Sequence, residues 1–143
     1  GMDANKFNGE GYYDPTAFEA LIAIEKEAKK SKFKPLVYIC SPFAGDVDFN
    51  ISRARGYSRF AVAQNAIPLA PHLLFPQFLE DADKQQRDLG IFMGLVLMSK
   101  CQEVWCFGSK ISKGMAIELE KAKKRKMVIR YFNERCEEVK HNA

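Results

Sequence analysis

Ser112, Gly114 and Glu118 combine a candidate anion site with a nearby carboxylate. In the stretch ISKGMAIELEKAKKRK, Ser112 is the expected N-cap of an amphipathic helix. The first amides of that helix, those of Lys113, Gly114 and Met115, would meet at the positive end of its dipole, where phosphate binds readily. An ordinary helix cap explains the same residues, and one serine with one glycine does not decide between the two.

The surroundings of Glu118 follow in part from helix spacing. Gly114 lies four residues before it and Ala122 four residues after it, so two small side chains flank the carboxylate on one stripe. Leu119 points toward the core beside this stripe, which places Glu118 near the boundary between buried and exposed surface. The alternative is an exposed glutamate paired with Lys121. The spacing leaves both interpretations open.

An aspartate, two arginines and a cysteine–serine pair are weaker candidates for chemistry. Asp88 heads a helix that soon becomes apolar, and it is either a second working carboxylate or an acid placed favourably in a first helical turn. Arg53 and Arg55 could each contact a phosphate, but they are two residues apart and cannot both face the site, so one at most is a ligand, and Arg53 is the candidate. Cys40 and Ser41 suggest a nucleophile, but no histidine and acid stand near them in sequence.

Apolar runs that alternate with helical patterns predict the elements that position these residues. The pattern indicates an α/β fold, a Rossmann/flavodoxin-like three-layer sandwich with a mainly parallel sheet of about four to five strands. A long helix from Lys84 is apolar nearly all round in its second half, so we expect it to be packed deep. The predicted strands are PLVYIC, IPLAP, EVWCFG and MVIRYF, and the other predicted helices cover 14–30, 51–64 and 113–124.

The loops after the strands are the expected place for a ligand. In an open parallel sheet, ligands bind at the carboxyl ends of the strands, where the strand order reverses. Ser41, Pro42 and Phe43 follow the first predicted strand and His72 follows the second, which makes them substrate-binding candidates. A structural histidine in a loop is the plainer interpretation of His72.

Length and composition predict one soluble domain. The chain has 143 residues, a net charge of +4, and 47% hydrophobic and 28% charged residues. We expect a tail over 1–13, in which Gly1 is interpreted as a remnant of tag removal, and a single α/β domain over 14–143 that includes an extra N-terminal helix with Asp14 as its cap. No run is long enough to span a bilayer, and reduced cysteines fit a cytoplasmic protein.

Four stretches in this order resemble the nucleoside 2-deoxyribosyltransferase-like superfamily, in particular its bacterial and phage branch. They are VYICSPFAG, IPLAPHLLF, RDLGIFMGLVLMSKCQEVWCFG and SKGMAIELEKA. The most specific piece is the G-x-x-x-E-L pattern of Gly114 to Leu119, and the strand-ending YICSPF is second. The resemblance covers roughly Pro35 to Tyr131.

The resemblance implies roles for three residues. Glu118 matches the nucleophile that attacks the anomeric carbon of a (deoxy)ribose, Tyr38 matches a tyrosine that holds this glutamate, and Asp88 matches an acid near the nucleobase. Where the transferases carry an acid six residues before the nucleophile, this chain has Ser112. That substitution makes the chain more similar to deoxynucleoside 5'-monophosphate N-glycosidases, in which a serine at this place binds the 5'-phosphate.

The expected function is therefore cleavage or transfer of an N-glycosidic bond in nucleosides or nucleoside 5'-monophosphates, through a glycosyl-enzyme intermediate on Glu118. We expect no metal and no cofactor, a small-molecule substrate, no nucleic-acid polymer or membrane as partner, and a homo-oligomer, either a dimer or a tetramer. The alternative is a catalytically inactive nucleotide-binding or sensing module of the same fold. The expected substrate-binding residues are Ser41, Pro42, Phe43, His72, Ser112, Gly114, Met115 and Arg53.

Overall fold

A computed structural model describes residues 15–30 and 33–140 of the chain. The chain divides into two compact units at Pro35. The first unit contains helix α1, Pro15–Lys30, in which Ile24 is exposed. The expected cap Asp14, the tail over 1–13 and His141 lie outside the described residues.

The second unit contains a five-stranded sheet in the order β2-β1-β3-β4-β5. The first four strands are parallel to one another, and β5 is antiparallel to β4. The expected α/β fold with a mainly parallel, flavodoxin-like sheet is confirmed. The strands are β1 (Leu36–Cys40), β2 (Ile67–Leu69), β3 (Glu103–Phe107), β4 (Val128–Phe132) and β5 (Glu138–Val139).

Three long helices cover the two faces of this sheet and complete a three-layer sandwich. They are α2 (Val47–Ala63), α3 (Lys84–Met98) and α4 (Lys113–Lys124), the last with the predicted bounds. Two short 3₁₀ turns, Pro71–Leu73 and Phe75–Gln77, connect β2 to α3. Among the described residues, no helix combines the length and the apolar character needed to cross a membrane.

The side chains of β1 alternate between two hydrophobic clusters, because successive residues of a strand point to opposite faces of a sheet. Val37 and Ile39 pack in the cluster that includes Tyr57 of α2. Tyr38 and Cys40 pack in the other cluster, with residues of α3 and α4. On the face toward α3 and α4, β1 therefore carries Leu36, Tyr38 and Cys40.

The helix after β1 starts earlier than the sequence pattern predicts. Residues 41–50 were expected to form a loop, with the helix beginning near Ile51, but α2 begins at Val47. Asp46 is the N-cap, and its side chain accepts a hydrogen bond from the amide of Phe49. An aspartate cap can begin a helix before any apolar periodicity is visible, which is why the boundary was misplaced.

The expectation that α3 is packed deep was wrong. Gly94 and Met98 are buried, but Leu89, Phe92 and Val96 are 46%, 62% and 42% exposed. These three residues recur at helical spacing on the side of α3 that faces away from the sheet. An apolar composition shows that a helix can be buried, but it does not show which sides have a neighbour.

Candidate functional site

A cavity of about 480 Å³ opens between the loops that follow β1, β2 and β3. The order β2-β1-β3 makes the β1/β3 boundary the point where the direction of chain progression reverses, which is where ligands bind in such sheets. Nine of the predicted site residues line this cavity: Tyr38, Ser41, Phe43, His72, Asp88, Ser112, Gly114, Met115 and Glu118.

Glu118 is a buried carboxylate that lines the cavity. Its relative exposure is 7%, which excludes the alternative of an exposed surface glutamate. The hydroxyl of Tyr38 donates a hydrogen bond to Oε2, and the thiol of Cys40 lies 3.6 Å from Oε1. Two side chains of one strand therefore hold both oxygens of this carboxylate.

Burial raises the pKa of Glu118 to about 7, although the hydrogen bonds from Tyr38 and Cys40 act in the opposite direction. Burial, and then the charge of Glu118, raise the pKa of Tyr38 well above its usual value, so this hydroxyl stays protonated and donates. The pKa of Cys40 is also raised, by its hydrogen bond with Cys106 and by burial. Near neutral pH, Glu118 is a carboxylate in balance with its acid form between two protonated neighbours.

Cys40 was not predicted to be a partner of Glu118. The signal was present in the sequence, because residues two apart on a strand share a face and Tyr38 had already been assigned to this glutamate. All four cysteines of the chain are free.

His72 and Phe43 form an aromatic wall of the cavity. Nε2 of His72 lies 2.8 Å from the backbone carbonyl of Ser41, and since a carbonyl oxygen can only accept, this nitrogen donates. Burial lowers the pKa of His72, so the ring is neutral near pH 7 and Nδ1 is an acceptor. The centroid of the Phe43 ring lies 4.9 Å from that of His72.

Ser41 contributes the other polar group at the end of β1. Its hydroxyl oxygen is buried and has no hydrogen-bond partner within the described part of the chain. An unpaired buried hydroxyl is uncommon in folded proteins. Its position beside the cavity keeps Ser41 among the substrate-binding candidates.

Ser112 caps α4, as predicted. Its Oγ accepts a hydrogen bond of 3.2 Å from the amide of Met115. The sequence predicted three free amides here, but the cap occupies that of Met115, which leaves those of Lys113 and Gly114 without an intrahelical acceptor. A Cβ atom built on Gly114 would meet no atom within 4 Å outside its own helix backbone and chain neighbours, so there is open space beside this residue, which lines the cavity.

Asp88 lines the cavity in a different state from Glu118. Its side chain is 57% exposed and lies 2.8 Å from Nζ of Lys84, one turn earlier on α3. The hydrogen bond with Lys84 lowers the pKa of Asp88, so this carboxylate is ionised at neutral pH. Asp88 lies one full turn inside α3, which begins at Lys84, so the interpretation as an acid in a first helical turn is wrong. Its contact is an exposed ion pair with Lys84.

Arg53 and Pro42 are absent from the described residues that line the cavity. The guanidinium of Arg53 donates to the backbone carbonyl of Glu134 and lies 5.3 Å from the centroid of the Tyr57 ring. Tyr57 belongs to the cluster on the opposite face of the sheet from Glu118. The structure therefore does not bring Arg53 together with the predicted site, because α2 packs on the other side.

Comparison with known proteins places the fold and the cavity within a family. No curated protein matches the chain. Residues 35–132 match a family described as a domain of unknown function (DUF7768), and this range includes every residue that lines the cavity. The match covers more than half of the 143 residues, so the chain belongs to the DUF7768 domain family.

Proposed function

We propose that this protein cleaves or transfers the N-glycosidic bond of nucleosides or nucleoside 5'-monophosphates, with Glu118 as the nucleophile. The observation that carries this proposal is the Glu118 carboxylate, buried beside an open cavity and held by hydrogen bonds to both oxygens. The resemblance of the sequence to nucleoside 2-deoxyribosyltransferases supports the same assignment. A fixed carboxylate that lines a cavity of about 480 Å³ suits a reaction with an oxocarbenium-like transition state.

The reaction has two steps. An oxygen of Glu118 forms a bond to the anomeric carbon as the bond from that carbon to the base nitrogen breaks, and the electron pair leaves with the base. The base takes a proton from water. In the second step, water or another base attacks the same carbon and the ester bond breaks, which regenerates the carboxylate. The proton that the attacking group loses neutralises the hydroxide left when the first base was protonated. The Tyr38 hydroxyl keeps the carboxylate oriented.

Asp88 serves this reaction as an acceptor. Because the neighbouring Lys84 lowers its pKa, Asp88 is ionised at neutral pH and has no proton to give to the departing base. At the edge of the cavity, its carboxylate can accept a hydrogen bond from an N–H group of the base. Ser41, Phe43 and His72 form the wall that faces the substrate.

A 5'-monophosphate is the favoured substrate. The amides of Lys113 and Gly114, at the positive end of α4, can donate to phosphate oxygens, and the Ser112 hydroxyl caps the same end. The cationic side chains of Lys113 and Arg87 also belong to the cavity lining. A phosphate would bind on the same helix as Glu118, one turn before it.

Base release is the direct test. The purified protein is incubated with each deoxynucleoside, each ribonucleoside and their 5'-monophosphates, and free base is measured by chromatography. We expect release from at least one monophosphate and none from Glu118→Ala. A glycosyl adduct on Glu118, found by mass spectrometry of the quenched protein, would identify the nucleophile. No release from any substrate, or equal release by Glu118→Ala, would refute the proposal.

A catalytically inactive nucleotide-binding module is the second candidate. The observation that favours it is the pairing of Asp88 with Lys84, which keeps Asp88 ionised and unable to protonate the departing base. This alternative predicts nucleotide binding in calorimetry without any base release. Weaker binding by Ser112→Gly, measured under the same conditions, would place that nucleotide at the α4 end.

The assembly and setting of the protein are proposed along with the reaction. We propose a homo-oligomer, a dimer or a tetramer, that acts in the cytoplasm on a free nucleotide and not on a nucleic-acid polymer. It needs no metal or cofactor. Light scattering coupled to gel filtration measures the mass of the assembly, and a monomer at the concentration used for the activity assay would contradict an oligomeric enzyme.

A further inference from the structure

The Tyr38 hydroxyl packs against the backbone of α3 at Gly94. A Cβ atom built on Gly94 would lie 2.9 Å from the Tyr38 hydroxyl oxygen, closer than a Cβ contact of a real side chain. Gly94 itself is buried in α3. The space occupied by the hydroxyl therefore exists because residue 94 has no side chain.

Tyr38 has little freedom to move away from this contact. Its side chain is 1% exposed, and it packs in the cluster that includes Met98 and Leu119. Its hydroxyl donates a hydrogen bond to Glu118, so the side chain reaches from β1 to α4. In a close-packed interior a displaced aromatic ring must move its neighbours, so any shift of the hydroxyl away from Gly94 changes the bond to Glu118.

We propose that Gly94 is a positioning residue, whose missing side chain allows the Tyr38 hydroxyl to reach and hold the carboxylate of Glu118. Gly94 contacts Tyr38 and acts on Glu118 only through it. A glycine in a helix interior lowers helix stability relative to alanine, so Gly94 carries a stability cost for which a close contact is one physical reason. The close approach of the hydroxyl supplies that reason.

The same helix offers a matched control. Gly90 lies one turn before Gly94 and lines the cavity, and a Cβ atom on it would meet Cδ1 of Leu79 at 3.5 Å, an ordinary contact. Gly90→Ala and Gly94→Ala make the same chemical change in the same helix. They differ in what the new methyl group meets.

The bond between Tyr38 and Glu118 is measurable without any substrate. It lowers the pKa of Glu118, so its loss raises that pKa. The side-chain carboxyl of Glu118 can be titrated by NMR with ¹³C-labelled glutamate, and its resonance is identified by its absence in Glu118→Gln. This readout stays valid if the proposed glycosidic activity fails, so the two outcomes can be told apart.

We expect Gly94→Ala to raise the pKa of Glu118 in the same direction as Tyr38→Phe, and Gly90→Ala to leave it unchanged. In the double variant Gly94→Ala/Tyr38→Phe, the alanine should add no further shift, because the hydroxyl is already gone. Where base release is observed, Gly94→Ala should lower kcat/KM at pH 7 by about tenfold, an energy comparable to one charge-assisted hydrogen bond.

Three results would overturn the proposal. One is a pKa of Glu118 in Gly94→Ala that equals the pKa in the wild type. Another is a pKa shift from Gly94→Ala that persists unchanged in the Tyr38→Phe background. The third is a Gly94→Ala protein that fails to fold and that Tyr38→Phe does not rescue, because the methyl group would then clash with something other than the hydroxyl.

Discussion

Tyr38 and Cys40 lie two residues apart on β1 and contact different oxygens of the Glu118 carboxylate. The Tyr38 hydroxyl donates to Oε2 of Glu118, and the Cys40 thiol lies 3.6 Å from Oε1. Both contacts favour the ionised form of Glu118, against the effect of its burial. The strand therefore fixes the orientation of the carboxylate and limits the rise in its pKa.

Cys40→Ala should raise the pKa of Glu118, but by less than Tyr38→Phe does. A thiol is a weak donor compared with a phenol, so losing it removes less stabilisation of the carboxylate. The ¹³C titration of Glu118 measures both shifts. Cys101→Ala is the control, since Cys101 donates to the backbone of Leu97 and not to Glu118. A larger shift from Cys40→Ala than from Tyr38→Phe would contradict this ranking.

The stability of the wild type, relative to Glu118→Gln, should fall as the pH rises from 5 to 8. The pKa of Glu118 is about 7 in the folded protein, whereas a glutamate in an unfolded chain has a pKa of about 4.3. Between these values the folded state binds more protons, so its stabilisation by protonated Glu118 is lost as pH increases toward 7. The loss is on the order of 2 kcal/mol.

Urea unfolding at pH 5 and at pH 8 checks this expectation. Glutamine keeps the size of the side chain and accepts a hydrogen bond from Tyr38 without titrating. Glu120→Gln, an exposed change on the same helix, is the control. If the difference in unfolding free energy between the wild type and Glu118→Gln does not vary with pH, the pKa of Glu118 is not raised.

Ser112→Ala and Ser112→Gly should separate the cap from the contact with a ligand. Alanine removes the hydrogen bond to Met115 and should cost about 1 kcal/mol of unfolding free energy, whereas glycine should cost only a few tenths, roughly. Both remove the hydroxyl, so both should weaken phosphate-dependent binding of a nucleoside monophosphate. Calorimetric binding by Ser112→Gly equal to that of the wild type would mean that Ser112 is a cap and nothing more.

Arg53→Ala should leave activity within roughly twofold of the wild type, a change of under about 0.5 kcal/mol in the barrier. Its contacts are with the Glu134 carbonyl and the Tyr57 ring, on the other face of the sheet from Glu118. The variant should instead lose about 1 kcal/mol of stability. A tenfold loss of activity in Arg53→Ala with unchanged stability would contradict this and would indicate that Arg53 contacts the substrate.

The fold could be predicted because its signals are local. Ser112 capped α4 where expected, and short apolar runs marked β1 and β3 as buried strands. The strand β5 was not identified among the predicted strands, since the pair Glu138–Val139 is exposed and has no pattern of its own.

The site was predictable only in part, because it depends on contacts between distant segments. Helix spacing left Glu118 undecided between surface and pocket, and the deciding fact is its contact with Tyr38, eighty residues away. The same limit explains Arg53: its spacing on α2 fits a phosphate ligand, but nothing local shows which face of the sheet the helix covers. The family resemblance predicted Tyr38 as a partner of Glu118, and the alternation of side chains along β1 could have predicted Cys40 as the second partner.

The pairing of β1 with β3 has a consequence for how the quality of a preparation can be judged. Tyr38 pairs with Val104 and Cys40 with Cys106. A molecule in which β1 is displaced by one residue would turn Val37 and Ile39 toward α4 and leave Glu118 in an apolar pocket without donors. The pKa of Glu118 therefore reports on the pairing of β1 with β3. A second Glu118 resonance that titrates with a higher pKa would reveal molecules in which β1 is displaced.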